Sequence, residues 1–218
     1  MRIQQWLCIL AVALGTHAVA RADFINGTFS TGNLTGWTSF TTSNGTVGGP
    51  GFPNVVSFDT TGSGASLAAQ FHVGQVVFQS GIQHGGGILQ TLNLAAGTYR
   101  ITADFAAFDP PPLGNAQAGI FSVLLDGVTQ VTANLGSTTS NQIKRGSFDF
   151  NVSVATGTYT FAFQMTRRFL IGDGTPFQYF DNIHINPVPV PSGVIMGSIG
   201  VVCLVLATQF RRRKVCIA

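Results

Sequence analysis

The residue of this chain best suited to binding chemistry is Asp181, which lies within a predicted strand. The apolar residues of that segment share one parity, which Asp181 also has: Phe177, Tyr179, Ile183 and Ile185. A carboxylate turned toward a core costs several kcal/mol unless it is paired, hydrogen-bonded or bound to a metal ion. Three readings follow. Asp181 binds a hard cation such as calcium with backbone oxygens, it accepts hydrogen bonds from the first strand, or a bulge turns it outward.

Aromatic side chains are the second group of candidates, because their faces suit the apolar faces of sugar rings. Trp37 follows a glycine near the predicted first strand, where its ring either stacks on a sugar or packs in the core. Phe108 precedes the Pro-rich loop 109–114, and this rim position predicts a ligand contact. The pair Arg167-Arg168 at a strand end indicates a solvated rim, with contact to an anionic polysaccharide as the alternative.

Residues for metal or acid–base catalysis are too scattered to predict a site. His72, His84 and His184 lie in different segments, without a cysteine or glutamate beside them, and so do not indicate a zinc centre. The carboxylates that could act as a glycosidase pair are predicted at strand edges and turns: Asp104, Asp109 and Asp126. The sequence therefore predicts no catalytic residue and no enzyme.

Alternating apolar and polar residues predict the strands that must position these side chains. The pattern is clearest over 99–105, 148–154 and 159–165. Further strands are predicted at Val55–Phe58, Val76–Gln79, Ile88–Leu94, Gly119–Leu125, Val128–Ala133 and Phe177–Ile185. Asp126-Gly127 indicates a hairpin turn, and Gly85-Gly86-Gly87 a flexible connection. Eight to ten short strands predict an all-β fold, a two-sheet antiparallel β-sandwich of the jelly-roll kind.

Composition excludes two classes of site between the two ends of the chain. From Asp23 to Gly193 there are five basic residues and eight aspartates, a net charge of −3, so no basic face for nucleic acid is expected. The three cysteines, Cys8, Cys203 and Cys216, all lie outside this stretch. It can therefore form neither a disulfide framework nor a thiolate metal site, and its stability must come from its core.

The first 22 residues have the features of a signal peptide. Arg2 supplies the positive charge, residues 6–14 the apolar stretch, and Ala20 and Ala22 the small residues that a signal peptidase requires. We expect cleavage after Ala22, so that the mature chain begins at Asp23.

The last 32 residues have three parts. A Pro-rich segment, 187–193, cannot continue a strand, and the uncharged run 194–210 is long enough for one membrane-spanning helix. The tail 211–218 begins with four basic residues, Arg211, Arg212, Arg213 and Lys214, which predict a cytoplasmic C-terminus. The expected location is the inner membrane, with the domain 23–186 exported.

This three-part order resembles the PEP-CTERM sorting signal of Gram-negative bacteria. Pro189-Val190-Pro191 stands where Pro-Glu-Pro is usual, as in the subgroup with a Val-Pro-Leu-Pro start. The resemblance implies a membrane partner, an exosortase-like processing enzyme, and delivery to the cell surface or extracellular matrix.

Two further motifs resemble jelly-roll carbohydrate-binding-type modules. The opening Asn26-Gly27-Thr28-Phe29, followed by Gly36-Trp37, matches the start of such modules, and the segment 180–183 matches their last strand. The resemblance implies a jelly roll over 25–185 and polysaccharide binding. It also implies a structural calcium held by Asp181 and a glutamate after the phenylalanine, where this chain has Ser30.

Together these features predict an exported, membrane-anchored or sorted surface or matrix protein. Its β-sandwich is expected to bind polysaccharide, with no nucleic-acid partner and with calcium as the one candidate cofactor. The alternatives are a purely structural or adhesive module and, third, an enzyme that acts on polysaccharide.

Overall fold

A computed structural model describes residues 23–112, 114–172 and 174–189 of the chain. The predicted signal peptide, the membrane-spanning segment 194–210 and the basic residues 211–214 lie outside these ranges, as do Val190 and Pro191 of the sorting motif. The described ranges contain no helix that is long and apolar enough to cross a membrane. The chain divides into two compact units, Met1–Pro187 and Val188–Ala218.

The described part of the first unit contains twelve strands, joined by turns and loops. In chain order they are β1 (Thr38–Thr41), β2 (Gly45–Thr46), β3 (Asn54–Phe58), β4 (Ser66–Phe71), β5 (Gly74–Gln75), β6 (His84–Leu94), β7 (Gly97–Phe108), β8 (Ile120–Leu125), β9 (Val128–Asn134), β10 (Ile143–Val154), β11 (Gly157–Arg167) and β12 (Phe177–Pro187).

Ten of these strands form two five-stranded antiparallel sheets. The first sheet has the order β1-β6-β11-β8-β9 and the second the order β10-β7-β12-β4-β3, while β2 and β5 form a small third sheet. Successive long strands alternate between the sheets, from β6 to β7 and again from β10 through β11 to β12. The predicted two-sheet β-sandwich of the jelly-roll kind is therefore confirmed.

Aromatic rings from both sheets fill the space between them. The ring of Phe105 on β7 lies 4.7 Å from that of Phe121 and 4.5 Å from that of Phe148. Gly146 is the cross-strand partner of Phe105, and a Cβ atom there would come within 2.5 Å of the ring. Glycine at this position of β10 therefore leaves the space that the Phe105 ring occupies.

The motifs that resemble the two ends of carbohydrate-binding-type modules meet in the structure. Ile183 in the last strand donates its N–H to the carbonyl oxygen of Gly27 in the opening motif, at 3.0 Å. Trp37, from the same opening region, has its ring 5.7 Å from that of Phe163. The N-terminal segment therefore packs along the sandwich and closes its core.

Two local predictions were wrong. Residues 76–79 form no strand, and Val77 and Phe78 are 64% and 56% exposed in a loop. Residues 85–87 do not form a flexible connection but are part of strand β6, which lies between β1 and β11 in the first sheet. A Cβ atom at Gly87 would collide with the carbonyl oxygen of Phe163 on β11, so glycine permits the close approach of these two strands.

Strand β12 contains a β-bulge between Asp181 and His184, where Asn182 has a φ of 50°. Before the bulge, Phe177 and Tyr179 lie on the outer face of the second sheet, with Phe180 in the core. Beyond it, Ile183 and Ile185 face the core. A bulge adds one residue to one strand and so shifts the parity. The single parity expected for 177–185 was wrong, and Asp181 shares the outward side of Phe177 and Tyr179.

Candidate functional site

The outer face of the second sheet carries aromatic side chains, and we call it the aromatic face. Its members are half-buried except for the buried Tyr179: Phe52, Phe58, His72, Phe108, Phe177 and Tyr179. Four of them pack with Ala68 and Ala106 in a cluster separate from the core between the sheets: Phe58, Phe108, Phe177 and Tyr179. Phe52 and His72 adjoin this cluster through ring contacts with Phe177. This row of rings crosses strands β3, β12 and β7.

The centre of the aromatic face is a stacked pair of rings. Phe58 lies over Tyr179 with ring centroids 3.6 Å apart and planes inclined by 4°. The Tyr179 hydroxyl accepts a hydrogen bond from the side-chain amide of Gln70 at 2.9 Å. Burial raises the pKa of Tyr179 to about 12. The Tyr179 side chain is therefore uncharged and lies beneath Phe58, whose ring forms the outer surface of the pair.

A second group of rings lies at the end of the face where β12 begins. The His72 ring is 5.6 Å from Phe52 and 5.1 Å from Phe177, centroid to centroid. The His72 Nε2 atom lies 3.0 Å from the carbonyl oxygen of Thr175, so the tautomer with hydrogen on Nε2 donates to it. Burial lowers the pKa of His72, as does the charge of Arg167. The ring is thus neutral and packs as an aromatic.

A short segment, residues 59–65, borders the aromatic face, and we call it the strap. It leaves edge strand β3 and is bound to the opposite edge strand, β10, by Arg145. The Arg145 guanidinium donates to the carbonyl oxygen of Asp59 at 3.0 Å and to its carboxylate at 3.2 Å. The strap therefore reaches across the sheet and limits the open aromatic surface on one side.

Asp181 lies fully buried beside the strap. Its Oδ2 atom accepts hydrogen bonds from the hydroxyls of Ser66, at 2.5 Å, and Thr60, at 3.5 Å, while Oδ1 accepts from the backbone N–H of Asn182 at 2.7 Å. Burial raises the pKa of Asp181, these hydrogen bonds oppose the rise, and the cross-strand neighbour Asp104 adds to it. The carboxylate has partners on both oxygens without a cation.

These contacts bear on the predicted calcium ligand. Calcium is bound by six to eight oxygens in proteins, whereas the groups around Asp181 are hydroxyl and amide donors already directed at its carboxylate. Ser30 is exposed in the N-terminal loop and is not a hydrogen-bond partner of Asp181. Over the described ranges, no three His, Cys, Asp or Glu side chains group closely enough to hold a metal ion. These contacts supply both oxygens of Asp181 with partners without calcium, and calcium binding by Asp181 stays an untested alternative.

The two predicted sugar contacts lie in different places. Trp37 is in the core, 8% exposed, with its ring 5.5 Å from Phe24 and its Nε1–H donated to the carbonyl oxygen of Asn26. A ring enclosed in this way has no face for a sugar. Phe108 does lie on the aromatic face, opposite Phe177 in the strand register and 6.3 Å from the Phe58 ring.

Sequence reasoning missed Phe58 and Phe177 as surface aromatics. Both belong to predicted strands, but alternation shows which residues share a face without showing which face is the core. Tyr179 and Phe177 were assigned inward because the bulge in β12 leaves no mark in the alternation. The signal that could have found them is the small size of Ala68 and Ala106, which leaves room for rings on the outer side.

The carboxylates considered for glycoside cleavage occupy three different elements. Asp104 on β7 accepts from the side-chain amide of Asn182 at 2.9 Å. Asp109 is buried after β7 and accepts from the Thr138 hydroxyl at 2.9 Å. Asp126 lies in the β8–β9 hairpin turn, as predicted for Asp126-Gly127, and accepts from the Thr160 N–H. Each carboxylate has a local structural partner.

No protein-family model and no curated protein matches this chain. Among solved structures, TmCBM61 in complex with β-1,4-galactotriose is similar at 13% identity and a TM-score of 0.44, over 77% of this chain and 99% of that one. The CBM22-1 xylan-binding domain of Paenibacillus barcinonensis Xyn10C has the same identity and TM-score, over 79% of this chain and 99% of that one. Arabinose-bound MgGH51 α-L-arabinofuranosidase is 17% identical with a TM-score of 0.48, over 79% of this chain and 27% of that one.

These structural neighbours are thus two carbohydrate-binding modules and one glycosidase that is much longer than the matched region. Their TM-scores are below 0.5, so these likenesses carry no argument about what this chain binds.

Proposed function

We propose that this chain is an exported, non-enzymatic surface or matrix protein whose β-sandwich binds polysaccharide on the aromatic face. One observation carries the proposal: the outer surface of the second sheet holds a row of half-buried rings outside the core. Partly exposed aromatic rings on the outside of a sheet are the kind of surface on which the apolar faces of sugar rings stack.

The chemistry of the face favours a sugar over a purely apolar ligand. Pyranose rings have apolar faces that stack on aromatic rings, and hydroxyl edges that need hydrogen-bond partners. The face supplies ring surfaces at Phe58, Phe108 and Phe177. Polar groups border these rings: the amide of Gln70, which donates to the Tyr179 hydroxyl, and the Arg145–Asp59 pair. An extended chain of sugars would meet both kinds of group.

The test is binding of neutral and acidic polysaccharides by affinity electrophoresis, with the full-length chain in detergent. We expect Phe58→Ala and Phe177→Ala to abolish or strongly weaken retardation. The matched control is Phe40→Ala, because Phe40 is a half-buried aromatic on the outer face of the first sheet, opposite Gly87. Equal binding by all three variants, or none by the natural chain, would refute the proposal. The remaining readings would then be a structural or adhesive module and, third, an enzyme that acts on polysaccharide.

We also propose that the terminal segments export and sort this domain. The support is in the sequence: the signal-peptide pattern ending at Ala22, and the Pro-rich, apolar and basic parts after Pro187. The partners would be the inner membrane and an exosortase-like enzyme of a Gram-negative bacterium. A C-terminal alkaline phosphatase fusion should be inactive if the C-terminus lies inside, and an active fusion would reverse the proposed orientation. Changing residues 211–214 to serine should scramble the topology.

A further inference from the structure

The loop between β5 and β6 exposes a run of apolar side chains, and we call residues 76–82 the apolar loop. Four of its side chains are large, apolar and between 49% and 64% exposed: Val76, Val77, Phe78 and Ile82. Leu170, 46% exposed, adjoins the start of the loop, because it pairs with Gln75 in a parallel bridge. Five large apolar side chains therefore meet solvent at one end of the sandwich.

Side-chain amides hold the backbone of the apolar loop in place. The fully buried Gln75 accepts the N–H of Gln79 at 2.5 Å and donates to the carbonyl oxygens of Gln79, at 3.0 Å, and Ile82, at 2.7 Å. Asn44 donates to the carbonyl oxygen of Val77 at 2.6 Å and accepts its N–H at 3.0 Å. These bonds order the loop in advance, so its exposed side chains can be covered by a partner at little cost in entropy.

The surroundings of the apolar loop carry little charge. Residues 42–48 and 74–83 contain no charged residue, and the exposed Arg168 is the one charged residue of 168–172. Its neighbour Arg167 is only 1% exposed, and all three of its nitrogens donate to protein oxygens. The solvated rim predicted for Arg167 was therefore wrong. The surface around the loop favours an apolar partner over a charged one.

A polysaccharide is a poor match for the apolar loop, because sugar hydroxyls need hydrogen-bond partners beside the apolar contact. The amides of Gln75 and Asn44 already bond the loop backbone. The Gln79 Oε1 atom lies 2.9 Å from Nε2 of His84. The amide groups nearest to the apolar side chains are thus engaged within the protein.

The proposed membrane anchor does not explain the apolar loop either. The bridge between Gln75 and Leu170 places the loop beside the connection from β11 to β12, at the end of the sandwich where β12 begins. Strand β12 then runs for 11 residues, which is about 36 Å, before the chain leaves at Pro187. Residues 188–193 extend to about 20 Å at most. The anchor therefore departs from the opposite end of the domain.

We propose that the apolar loop is a self-association surface, through which two copies of this chain meet loop to loop. A two-fold contact places the same side chains of both copies against each other, and an apolar surface with little charge is complementary to itself. The inference does not depend on polysaccharide binding.

The size of the surface sets the expected strength of the contact. Half-exposed side chains offer roughly 100 Å² each, so the loop and Leu170 supply on the order of 500 Å² per copy, less than the ~800 Å² per partner of a standard interface. We therefore expect a weak dimer, which attachment of both copies to one surface strengthens by raising their effective concentration.

Cysteine cross-linking of the full-length chain in phosphatidylcholine vesicles tests the contact. Ser80→Cys places a thiol in the apolar loop and keeps its apolar side chains, and the natural cysteines are changed to serine: Cys8, Cys203 and Cys216. The matched control is Ser63→Cys, at an exposed position of the strap. With a short bismaleimide we expect about tenfold more covalent dimer from Ser80→Cys, because a specific contact raises the effective concentration of the two thiols. Equal yields from the two positions, including none from either, would overturn the proposal.

A second pair of variants ties the cross-link to the apolar side chains. Phe78→Ser, added to Ser80→Cys, should lower the dimer yield about tenfold, since burial of one large apolar side chain corresponds to about that factor in affinity. The control is Val128→Ser in the same chain, because Val128 is 64% exposed in the β8–β9 hairpin, and it should leave the yield unchanged. Both variants should keep the melting temperature of the natural chain, since both side chains are exposed. A cross-link that persists in Phe78→Ser would place the contact elsewhere and overturn the proposal.

The same thiol distinguishes a second copy from a lipid surface. A bimane fluorophore on the thiol of Ser80→Cys should keep its emission when the vesicle lipids carry doxyl groups, which quench fluorophores inside the bilayer. Quenching would mean that the apolar loop inserts into lipid, and self-association would then be the wrong assignment for this surface.

Discussion

The two outer faces of this sandwich have the same backbone architecture and opposite side-chain character. On the first sheet, polar side chains pair with each other across the strands: Thr91 with Thr160 at 3.0 Å, Asn93 with Thr158 at 2.6 Å, and Ser122 with Thr132 at 2.8 Å. The second sheet has such a polar pair where β7 begins, Thr98 with Ser153 at 2.9 Å, but elsewhere its outer side holds the aromatic face. Paired hydroxyls satisfy one another and offer little to a ring-shaped ligand. The proposed binding on the second sheet therefore depends on its side chains and not on the backbone architecture that the two sheets share.

Small residues serve each face differently. Glycines in β6 let the first sheet bring β6 and β11 into close backbone contact, with no room for a Cβ atom at Gly85 or Gly87. On the second sheet, the small side chains of Ala68 and Ala106 instead leave space for the Tyr179 ring, on which Phe58 stacks. The first sheet uses small residues for tight packing, and the second uses them to make space for rings.

The largest effect is expected where the first sheet is packed most tightly. Gly87→Ala places a methyl group against the Phe163 carbonyl oxygen, and such overpacking costs about 3 kcal/mol. Denaturant unfolding should show a matching loss in free energy of unfolding. The control is Gly49→Ala, because a Cβ atom there would meet nothing within 4 Å. Equal midpoints for the two variants would mean that β6 and β11 can separate at little cost.

On the second sheet, the effect of removing a ring should be smaller and more local. Phe58→Ala removes the ring stacked on Tyr179 and should cost about 1–2 kcal/mol. It should also expose the Tyr179 hydroxyl, so that its pKa falls from about 12 toward the ordinary value. Titration of tyrosinate absorbance measures this shift. The control Phe40→Ala, on the opposite face, should leave the highest tyrosine pKa unchanged.

The acids of the aromatic side should give opposite pH dependences. Burial raises the pKa of Asp181 above 3.8, so its contribution to stability is full below that pH and declines as pH rises through the folded-state pKa. In Asp181→Asn, the free energy of unfolding should therefore decline less as the pH rises. For exposed Asp149, the hydrogen bond from Arg100 lowers the pKa, so stability is instead lost as pH falls through the folded-state pKa. The free energy of unfolding, measured from pH 3, near the ordinary pKa of carboxylates, to pH 7, tests both directions of pH dependence.

We expect the melting temperature of the domain to be the same with calcium and with a chelator, because both Asp181 oxygens already accept hydrogen bonds. Ligand that binds only the native state would raise the melting temperature by mass action. A rise with calcium that Asp181→Ala abolishes would instead establish Asp181 as a metal ligand.

The smallest effect should come from the exposed ion pair on the aromatic side. Arg100 and Asp149 pair through two hydrogen bonds, of 2.7 and 2.5 Å, but both side chains are more than half exposed. Exposed pairs contribute little to stability. Arg100→Gln should change the melting temperature only slightly at low salt and not at all at high salt. A large change would mean that the pair holds β7 and β10 together.

The long strands could be predicted because alternation reports burial of one face. The predicted runs 99–105, 148–154 and 159–165 lie within β7, β10 and β11. Strand β1 was missed because its residues are mostly exposed and have no apolar parity. The loop at 76–79 was mistaken for a strand because its apolar residues are exposed in the structure, which a local pattern cannot show.

The sequence by itself determined that the domain is a β-sandwich, since the alternation of each strand is a local property of the chain. It also determined the opening and closing motifs, which meet at Gly27 and Ile183. Only the tertiary structure decided which side chains form a site. The Asp181 carboxylate accepts a hydrogen bond from Ser66, 115 residues away in the sequence. The Arg167 guanidinium donates one to the carbonyl oxygen of Val73, 94 residues away. Burial and hydrogen bonding of these charges depend on strands brought together from distant parts of the chain, and no local pattern encodes that pairing.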